Sequence, residues 1–334
     1  MQRVQGEPKT QLARAAFIQM PQDVACLCTE HQAKETEEAL RQARCVVDCV
    51  FGFGFRGELD GDAAKFIGMA NKLGCLRIAA DLHSGVECDS ARASEGTFRA
   101  HVTVAFSAKK PAHCSYPGKA FCGETVVAPV GIPQGLLEAA ETGWFETDDA
   151  FPRQALQAGS IQANKGDFGR LLLVCGSYGM AGACIMAARG ALRCGVGLLH
   201  IAIEERAYPI VAQAVPEAIF TILGLGRPGW EGKLEEAMEA CTACTTGSGL
   251  GDRAALLCPP VFKYFAANKK PLLVDADGLN YCAKHPGVLE GLGGPVVLTP
   301  HPGEMARLLD CPVPQVQAGR LGLAQGFAER TGAI

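Results

Sequence analysis

The amino-acid sequence predicts an α/β protein of two domains, each with a parallel sheet covered by helices. Apolar β-type runs alternate along the chain with segments of helical period, which is the pattern of such sheets. Glycine-rich or acidic loops follow several of these runs. The length of 334 residues exceeds the usual size of one hydrophobic core, so two domains are expected.

Composition and charge favour a small-molecule partner. The formal net charge of -4 leaves no basic surface for nucleic acid or an anionic membrane. The first residues lack the apolar core of a signal peptide, and no apolar run reaches membrane-spanning length, so a cytoplasmic protein is expected. The 16 cysteines are dispersed through apolar segments, which predicts mostly buried free thiols. The single CxxC, at Cys241 and Cys244, has no second pair and favours core over zinc.

The first part of the chain predicts alternating strands and helices followed by a linker. Residues 134–160 mix acidic residues, proline and glycine with little period, which indicates a domain boundary. Strands are expected at 45–51, 75–81 and 101–106, an extended stretch at 123–133, and a helix at 61–73.

The second part repeats the alternation from Phe168 onward. A glycine-rich turn at 176–182 separates a strand from a small-residue helix that can pack close to the sheet. Helix-like residues 315–330 precede the last three residues, where another strand should begin. A sheet edge left unpaired at residue 334 is expected to encourage association into a homo-oligomer. The expected elements are strands at 170–175, 196–203, 271–276 and 295–299 and a helix at 183–194.

A glycine pattern after the first strand indicates a nucleotide site. Gly52, Gly54 and Gly57 fit G-x-G-x-x-G, and Asp81 closes the next strand, as a dinucleotide-binding fingerprint requires. Glycines let main-chain N–H groups approach phosphates closely. A dehydrogenase is therefore one hypothesis, although Phe53 and Phe55 place large rings inside the loop. A plain glycine turn between strand and helix is the other hypothesis.

In the second part, several strands end in small-residue or acidic loops. Such loops would gather at one sheet edge and form a nucleotide cleft. The turn at 176–183 lacks the lysine of a P-loop, which argues against an ordinary P-loop ATPase.

Several segments, in order, resemble a known enzyme family. The first part resembles the NAD(P)H-hydrate epimerase domain in the segments VDCVFGFGFRG, AADLHSG, HVTVAFSAKKP and GETVVAPVGIP. The second part resembles the ADP/ATP-dependent NAD(P)H-hydrate dehydratase domain in NKGDFGRLLLVCGSYGMAGACIMAARGALRCGVGLL, TTGSGLGDR, PLLVDADGLN and VLTPHPGEMARLL. The resemblance implies an incomplete Rossmann-like three-layer αβα domain at 1–133, a linker at 134–163, and an incomplete ribokinase-like αβα domain at 164–334.

The resemblance also implies site residues in the first domain. Asp81 would contact the substrate and act in epimerisation, although Leu82 and His83 depart from the family's usual Ile-Pro. Asp48 and Ser84 match potassium ligands, and oxygen ligands suit such a cation. The substrate loop would comprise Gly52, Phe53, Gly54, Phe55, Arg56, Gly57 and Glu58.

In the second domain, Ala183, Gly249 and His301 match positions that contact the hydrated nucleotide. The remaining residues expected at the nucleotide cleft are Lys165, Gly176, Ser177, Gly182, Gly247, Gly251, Asp275, Asp277 and Asn280.

The implied activity is nicotinamide nucleotide repair. The family epimerises R and S NAD(P)HX and uses ADP or ATP, with Mg²⁺, to dehydrate (6S)-NAD(P)HX to NAD(P)H. The family's Asn-Asn-Gly-Gly-Asp-Gly loop would precede Met1, and its Gly-Ser-Gly-Asp loop would follow Ile334. By this resemblance the chain is truncated at both ends, so we expect little or no turnover. The alternatives are a Rossmann-type dehydrogenase and a catalytically dead nucleotide-binding module.

Overall fold

The computed structural model describes residues 2–3, 11–19, 27–28, 33–140, 144–155 and 160–334. The chain divides into two compact units, Met1–Phe151 and Pro152–Ile334, each with its own parallel sheet. The predicted α/β class is confirmed. The division falls inside the predicted linker, while the proposed domain limits stay a prediction.

The first unit contains a two-stranded parallel pair, β1 with β2, and a four-stranded parallel sheet in the order β3-β4-β5-β6. Its strands are β1 (Gln2–Arg3), β2 (Leu27–Cys28), β3 (Cys45–Asp48), β4 (Leu76–Ala80), β5 (Val102–Phe106) and β6 (Glu124–Ala128). Its helices are α1 (Gln11–Ile18), α2 (Ala33–Gln42), α3 (Gly61–Ala70), α4 (Pro111–Cys114) and α5 (Gln134–Glu138). Helix α6 (Ala150–Ala155) spans the division between the two units.

Helices α2 and α3 cover one face of the four-stranded sheet. Leu40 of α2 and Phe66 of α3 pack with Ala79 of β4 in one core. On the strands, Val47 and Val126 are 55% and 45% exposed. Among the described residues, α2 and α3 thus supply the helical layer on one face of this sheet.

The strand predicted at 45–51 is shorter than expected. It ends at Asp48 because the carboxylate of this residue turns back and accepts a hydrogen bond from the Val50 N–H at 3.2 Å. The following residues form the loop of the site described below.

The second unit is a six-stranded parallel sheet in the order β12-β11-β10-β7-β8-β9. Its strands are β7 (Arg170–Val174), β8 (Leu198–Glu204), β9 (Ile219–Leu223), β10 (Ala243–Thr246), β11 (Leu272–Val274) and β12 (Val296–Leu298). Its helices are α7 (Ala181–Arg193), α8 (Tyr208–Ala214), α9 (Trp230–Glu239), α10 (Ala254–Asn268), α11 (Ala276–Lys284), α12 (Pro302–Leu309), α13 (Val313–Ala318) and α14 (Arg320–Thr331).

Both faces of this sheet are buried. Successive side chains of a strand point to opposite faces, and Leu172 and Val174 belong to one core whereas Leu173 and Cys175 belong to another. The first core packs on α9 to α12 and the second on α7 and α8. Cys241 and Cys244 lie in the first core, 3% and 2% exposed. The predicted three-layer αβα arrangement is confirmed in this unit.

The strand order reverses beside β7. From β7 the chain runs outward through β8 and β9, and then returns to place β10, β11 and β12 on the other side. The helices that follow β7 and β10 therefore pack on opposite faces of the sheet, and the loops that lead to them lie at its carboxyl edge.

Three predicted elements differ in detail. The strand expected at 271–276 ends at Val274, because Asp275 is the N-cap of α11. The helix expected at 315–330 is two helices, broken at Gly319. The outer edge of β12 is not wholly unpaired, because Ile334 donates to the Val296 carbonyl and accepts from the Leu298 N–H, both at 2.8 Å.

Candidate functional site

The loops after β3 and β4 are tied together at the carboxyl edge of the first sheet. Asp48, which is 3% exposed, accepts hydrogen bonds from the N–H and the hydroxyl of Ser84 at 2.6 and 2.7 Å. The Ser84 hydroxyl accepts from the Phe51 N–H at 3.0 Å. Burial raises the pKa of Asp48, against the opposing effect of these bonds. The structure thus brings the two predicted potassium ligands together.

The donor chemistry of this pair suits an alkali cation, since it offers carboxylate and hydroxyl oxygens. These oxygens are already engaged with protein donors, namely Ser84, Val50 and Phe51. Among the described residues, no group of three or more carboxylate, histidine or cysteine side chains could hold a metal. Potassium at Asp48 and Ser84 therefore stays a prediction, and no step below depends on it.

The glycine loop does not have the geometry of a dinucleotide fingerprint. Helix α3 begins only at Gly61, so Gly57 lies outside the helix, and its N–H donates to the Glu87 carboxylate at 3.2 Å. In a fingerprint the third glycine packs helix against strand and the N–H groups face phosphate. This geometry argues against the dehydrogenase hypothesis.

Ion pairs hold the same loop against residues 87–92. Arg56 pairs with Asp89 at 3.0 Å and Glu58 pairs with Arg92 at 2.5 Å, all on half-exposed side chains. Phe55 is 8% exposed, whereas Phe53 is 69% exposed. Gly52 and Gly54 have open space where a side chain would begin. The two phenylalanine rings therefore differ, because Phe55 is buried and anchors the loop whereas Phe53 faces solvent.

Asp81 is the most constrained of the predicted site residues. Its φ of 64° lies in the left-handed region that favours glycine. Its N–H donates to the Val104 carbonyl, and its carboxylate accepts from the Phe106 N–H at 2.9 Å and pairs with Lys110. The side chains of Asp81 and Lys110 are only 15% and 21% exposed. A half-sheltered carboxylate and ammonium therefore stand side by side at the edge of the sheet.

Lys110 and His113 are missed by the sequence prediction. Lys110 lies four residues after the end of β5, in the segment AKKP, and a cation in a loop that follows a strand could have been recognised. The Nε2–H of His113 donates to the Asp81 carbonyl oxygen, 2.8 Å away. Burial lowers the pKa of His113.

His83, one of the two departures from the family loop, is fully buried. Among the described residues its Nε2 has no hydrogen-bond partner, and its Nδ1 lies 3.8 Å from the Cys122 sulfur. Burial, followed by the nearby His113, lowers the pKa of His83 to about 4. The ring is therefore neutral, and it packs beside the site without reaching solvent.

In the second unit, the loops after β7 and β10 meet at the reversal of the strand order. The Gly176 N–H donates to the Ser248 carbonyl at 2.8 Å, and the Ser177 hydroxyl donates to the Gly249 carbonyl at 2.9 Å. A Cβ on Gly249 would lie 2.7 Å from the Cβ of Ala183. The structure therefore places Ala183 and Gly249 in contact, with Gly182 beside them in the first turn of α7.

Asp275, directly after β11, extends this cluster. Asp275 accepts from the Ser248 hydroxyl at 2.7 Å and from the Thr299 hydroxyl at 2.8 Å. A Cβ on Gly247 would lie 1.8 Å from the Asp275 carbonyl oxygen, so only glycine fits there. The ends of β10, β11 and β12 are thus joined through one carboxylate.

Asp277 occupies the first turn of α11. Its carboxylate accepts from the Gly251 N–H at 2.8 Å and from the Asn280 amide at 3.3 Å. A groove of about 910 Å³ opens beside them and is lined also by Tyr281 and Arg307. This volume is in the range of small-molecule sites.

His301 follows β12 at the same edge of the sheet, two residues after Thr299. It is the N-cap of α12, where its Nδ1 accepts from the Gly303 N–H at 3.0 Å. Its Nε2 lies 3.2 Å from Glu304, and the side chain is 62% exposed. The histidine is thus fixed at one ring nitrogen and open to a ligand on its exposed side.

Glu204, at the end of β8, is a further residue that sequence reasoning misses. It is 6% exposed and bridges two turns of the site, accepting from the Tyr178 N–H at 2.5 Å and from the Arg253 guanidinium at 2.9 Å. Burial alone would raise the pKa of Glu204, but these two donors outweigh it and lower the pKa. The sequence did contain a signal for this residue, because an acid ends a buried strand and an arginine lies in a neighbouring loop.

Lys165 does not join this cluster. A Cβ on Gly197, which precedes β8, would lie 1.8 Å from the Lys165 carbonyl oxygen, so Lys165 lies at the amino edge of the sheet. A strand rises about 3.3 Å per residue, and five-residue β7 separates this edge from the loops at the other one. The prediction of Lys165 at the cleft therefore disagrees with the structure.

Two family models match the chain in succession. The model of the YjeF-related protein N-terminus matches residues 2–112, and the model of NAD(P)H-hydrate dehydratase matches residues 171–334. The bifunctional NAD(P)H-hydrate repair enzyme of Moorella thermoacetica is 34% identical over 99% of this chain and 63% of that protein. Its counterpart from Escherichia coli is 29% identical over 86% of this chain and 54% of that protein.

The chain therefore spans between half and two thirds of the length of these two relatives. Among solved structures, the ADP/ATP-dependent NAD(P)H-hydrate dehydratase of Bacillus subtilis is 30% identical, with a TM-score of 0.43, over 53% of this chain and 60% of that chain. The two family models fall, in order, on the two units that carry the two loop clusters. Over nearly its whole length the chain is therefore similar to bifunctional NAD(P)H-hydrate repair enzymes, with the two family models matched in succession.

Proposed function

We propose that this protein acts in the repair of hydrated nicotinamide nucleotides. The first unit would interconvert the two epimers of NAD(P)HX, and the second would dehydrate the S epimer with ADP or ATP. The observation that carries the proposal is the meeting of the Gly176 and Gly249 turns where the strand order of the second sheet reverses. Open α/β sheets bind nucleotides at that place.

Two features of the second unit support a role in phosphoryl transfer. Glycine turns and the N-terminus of the 13-residue helix α7 present N–H groups that can approach an anion. Phosphorylation of the C6 hydroxyl of the hydrated ring would create a good leaving group, which the ring-nitrogen lone pair then expels. The residues described here would align nucleotide and hydroxyl, with Ala183, Gly249 and His301 against the hydrated nucleotide.

Magnesium ion would neutralise charge on the transferred phosphoryl group. Asp275 and Asp277 are the carboxylates available for it, and Mg²⁺ usually binds through one or two carboxylates, waters and phosphate oxygens. Each carboxylate already accepts two hydrogen bonds from the protein, so these oxygens would hold the ion through waters.

In the first unit, Asp81 would contact the hydrated ring, and the loop from Gly52 to Glu58 would close over the nucleotide. The pairing of Asp81 with Lys110 supports this proposal, because an acid and a base side by side can exchange a proton with a bound substrate. Phe53 supports it further, since an exposed ring at the loop tip is available to stack on a nicotinamide or adenine ring.

We further propose that the reaction takes place in the cytoplasm. The fourteen cysteines whose side chains the structure describes are free thiols, as a reducing compartment favours. None of the described helices is long and apolar enough to span a membrane. A small-molecule nucleotide is the partner that the two sites suit.

The test uses mixed epimers of hydrated NADH with the whole chain. Binding is measured by calorimetry, epimer interconversion by chromatography, and dehydration, with ADP or ATP and Mg²⁺, by the return of reduced-nicotinamide absorbance. Hydrated NADH is expected to bind. Ala183→Leu, which fills the contact with Gly249, should abolish binding at the second unit, and Asp81→Asn should weaken it at the first.

Met186→Ala is the matched control for Ala183→Leu, because Met186 lies on the same helix and is 76% exposed. This variant should bind like the wild type. A folded wild-type chain that neither binds nor converts hydrated NADH would refute the proposed function. Rapid dehydration by this chain would support it and would contradict the expectation of little turnover.

A further inference from the structure

His113 contacts the main chains of the two residues whose side chains form the Asp81–Lys110 pair. Its Nδ1 accepts from the Lys110 N–H at 2.9 Å, and its Nε2 lies 2.8 Å from the Asp81 carbonyl oxygen. The ring is 3% exposed. Asp81, Lys110 and His113 therefore form a closed set of contacts. The side chains of Asp81 and Lys110 pair directly, and the His113 imidazole bonds to the main chains of both residues.

The two partners of His113 fix its tautomer. A main-chain N–H can only donate, so Nδ1 of His113 must be unprotonated to accept from Lys110. A carbonyl oxygen can only accept, so Nε2 must carry the proton that bonds to Asp81. The imidazole is accordingly neutral, with its single proton on Nε2, and both nitrogens are used.

Asp81 needs external support because a non-glycine residue at a φ of 64° is held only where its surroundings determine the conformation. Its N–H is held by the Val104 carbonyl, and its carbonyl is held by His113. The same imidazole holds Lys110 at the N-cap of α4, from which the ammonium reaches Asp81 and the Phe106 carbonyl. Loss of the ring would release both main chains at once.

We propose that His113 is a positioning residue for the Asp81–Lys110 pair. Its neutral ring bonds to the main chains of both residues and so holds the Asp81 carboxylate beside the Lys110 ammonium. This inference rests on the proposed epimerase function of the first unit. It assigns a role to a buried histidine that the motifs of that unit do not contain.

The experiment compares three substitutions at position 113. His113→Phe removes both hydrogen bonds. His113→Asn keeps an acceptor near Nδ1, and His113→Gln keeps a donor near Nε2. His101→Phe is the control, because His101 is an exposed histidine of the same unit.

For His113→Phe, the kcat of epimerisation is expected to fall on the order of 100-fold with KM nearly unchanged, as for a misplaced catalytic group. The Asn and Gln variants should each recover part of this loss. A merely structural histidine would lower the fraction of folded protein without this split between kcat and KM. Unchanged kcat in a folded His113→Phe variant would overturn the inference.

Two further measurements do not depend on activity. The ring-nitrogen NMR shifts of His113 should show a neutral ring with the proton on Nε2, and the Lys110 amide should exchange slowly in the wild type and rapidly in His113→Phe and His113→Gln. If the wild type neither binds nor epimerises hydrated NADH, the proposed function fails, and these two measurements still test the role of His113. A proton on Nδ1, or rapid exchange of the Lys110 amide in the wild type, would overturn it.

Discussion

Replacing Glu204 by glutamine should loosen the site of the second unit without unfolding it. The carboxylate accepts from two donors, the Tyr178 N–H on one turn and the Arg253 guanidinium on another. A glutamine side chain has one acceptor oxygen, and its NH₂ group would face the second donor. One of the two turns must therefore lose its bond to β8.

The expected loss of stabilising free energy follows from how far the two donors, the Tyr178 N–H and the Arg253 guanidinium, are buried. A buried polar group left without its partner costs about 1–3 kcal/mol. Because the Arg253 side chain is 46% exposed and can turn to water, we expect the middle of that range, about 2 kcal/mol, which corresponds to an about thirtyfold change in an opening equilibrium. The effect should be confined to the two turns.

Hydrogen exchange measured by mass spectrometry provides the assay. Amide exchange should rise about thirtyfold in Glu204→Gln in the peptide over residues 176–183 or in the one over 248–253, whichever turn loses its bond, while that of α10 stays unchanged. Glu205→Gln is the matched control, because Glu205 is the next residue and its pair with Arg227 is exposed. Exchange in both turns within about twofold of the wild type would refute the bridging role.

The same bridge predicts a pH dependence. The pKa of Glu204 is lowered from 4.5 in the folded state, so the unfolded chain takes up a proton first as the pH falls. The stabilisation is therefore fully present above pH 4.5 and is lost as the pH falls through the lower, folded value. The turns should open in that window in the wild type and show no such transition in Glu204→Gln.

Two further predictions concern packing and thiol chemistry. Gly247→Ala should lower the free energy of unfolding of the second unit by about 3 kcal/mol, because its Cβ would lie 1.8 Å from the Asp275 carbonyl oxygen. Gly190→Ala, in open space on α7, should raise that free energy by about 0.5–1 kcal/mol; equal urea midpoints for the two variants would contradict this. Burial raises the pKa of Cys258 to about 12, so iodoacetamide at neutral pH should label exposed Cys194 and spare Cys258; labelling of Cys258 in native protein would be the contrary result.

The fold of the second unit could largely be predicted from the sequence. Period and turn chemistry are local properties, and RLLLV followed by a glycine turn defines both β7 and the loop after it. Interruptions that depend on single residues were harder to place. Gly319 divides a segment of continuous helical period into α13 and α14, and β11 ends before Asp275, which occupies the N-cap position of α11.

The site could be predicted where glycines or acids follow strands, and less well where fold geometry brings distant residues together. Ser248 and Asp275 follow neighbouring strands, and the shared sheet edge makes their contact predictable. Lys110 is 29 residues from Asp81, so its pairing with Asp81 depends on the β4–β5 register. Lys165 was misplaced because it precedes β7 and so lies at the amino edge of the sheet, whereas the loops of the cluster follow their strands at the carboxyl edge.

The left-handed conformation of Asp81 determines which substitutions at this position are informative. Asparagine visits that region of φ and ψ readily, whereas alanine does so at a cost of about 1–2 kcal/mol. An alanine scan would therefore confound removal of the carboxylate with distortion of the peptide group bound to His113. Only the amide replacement isolates the contribution of the negative charge.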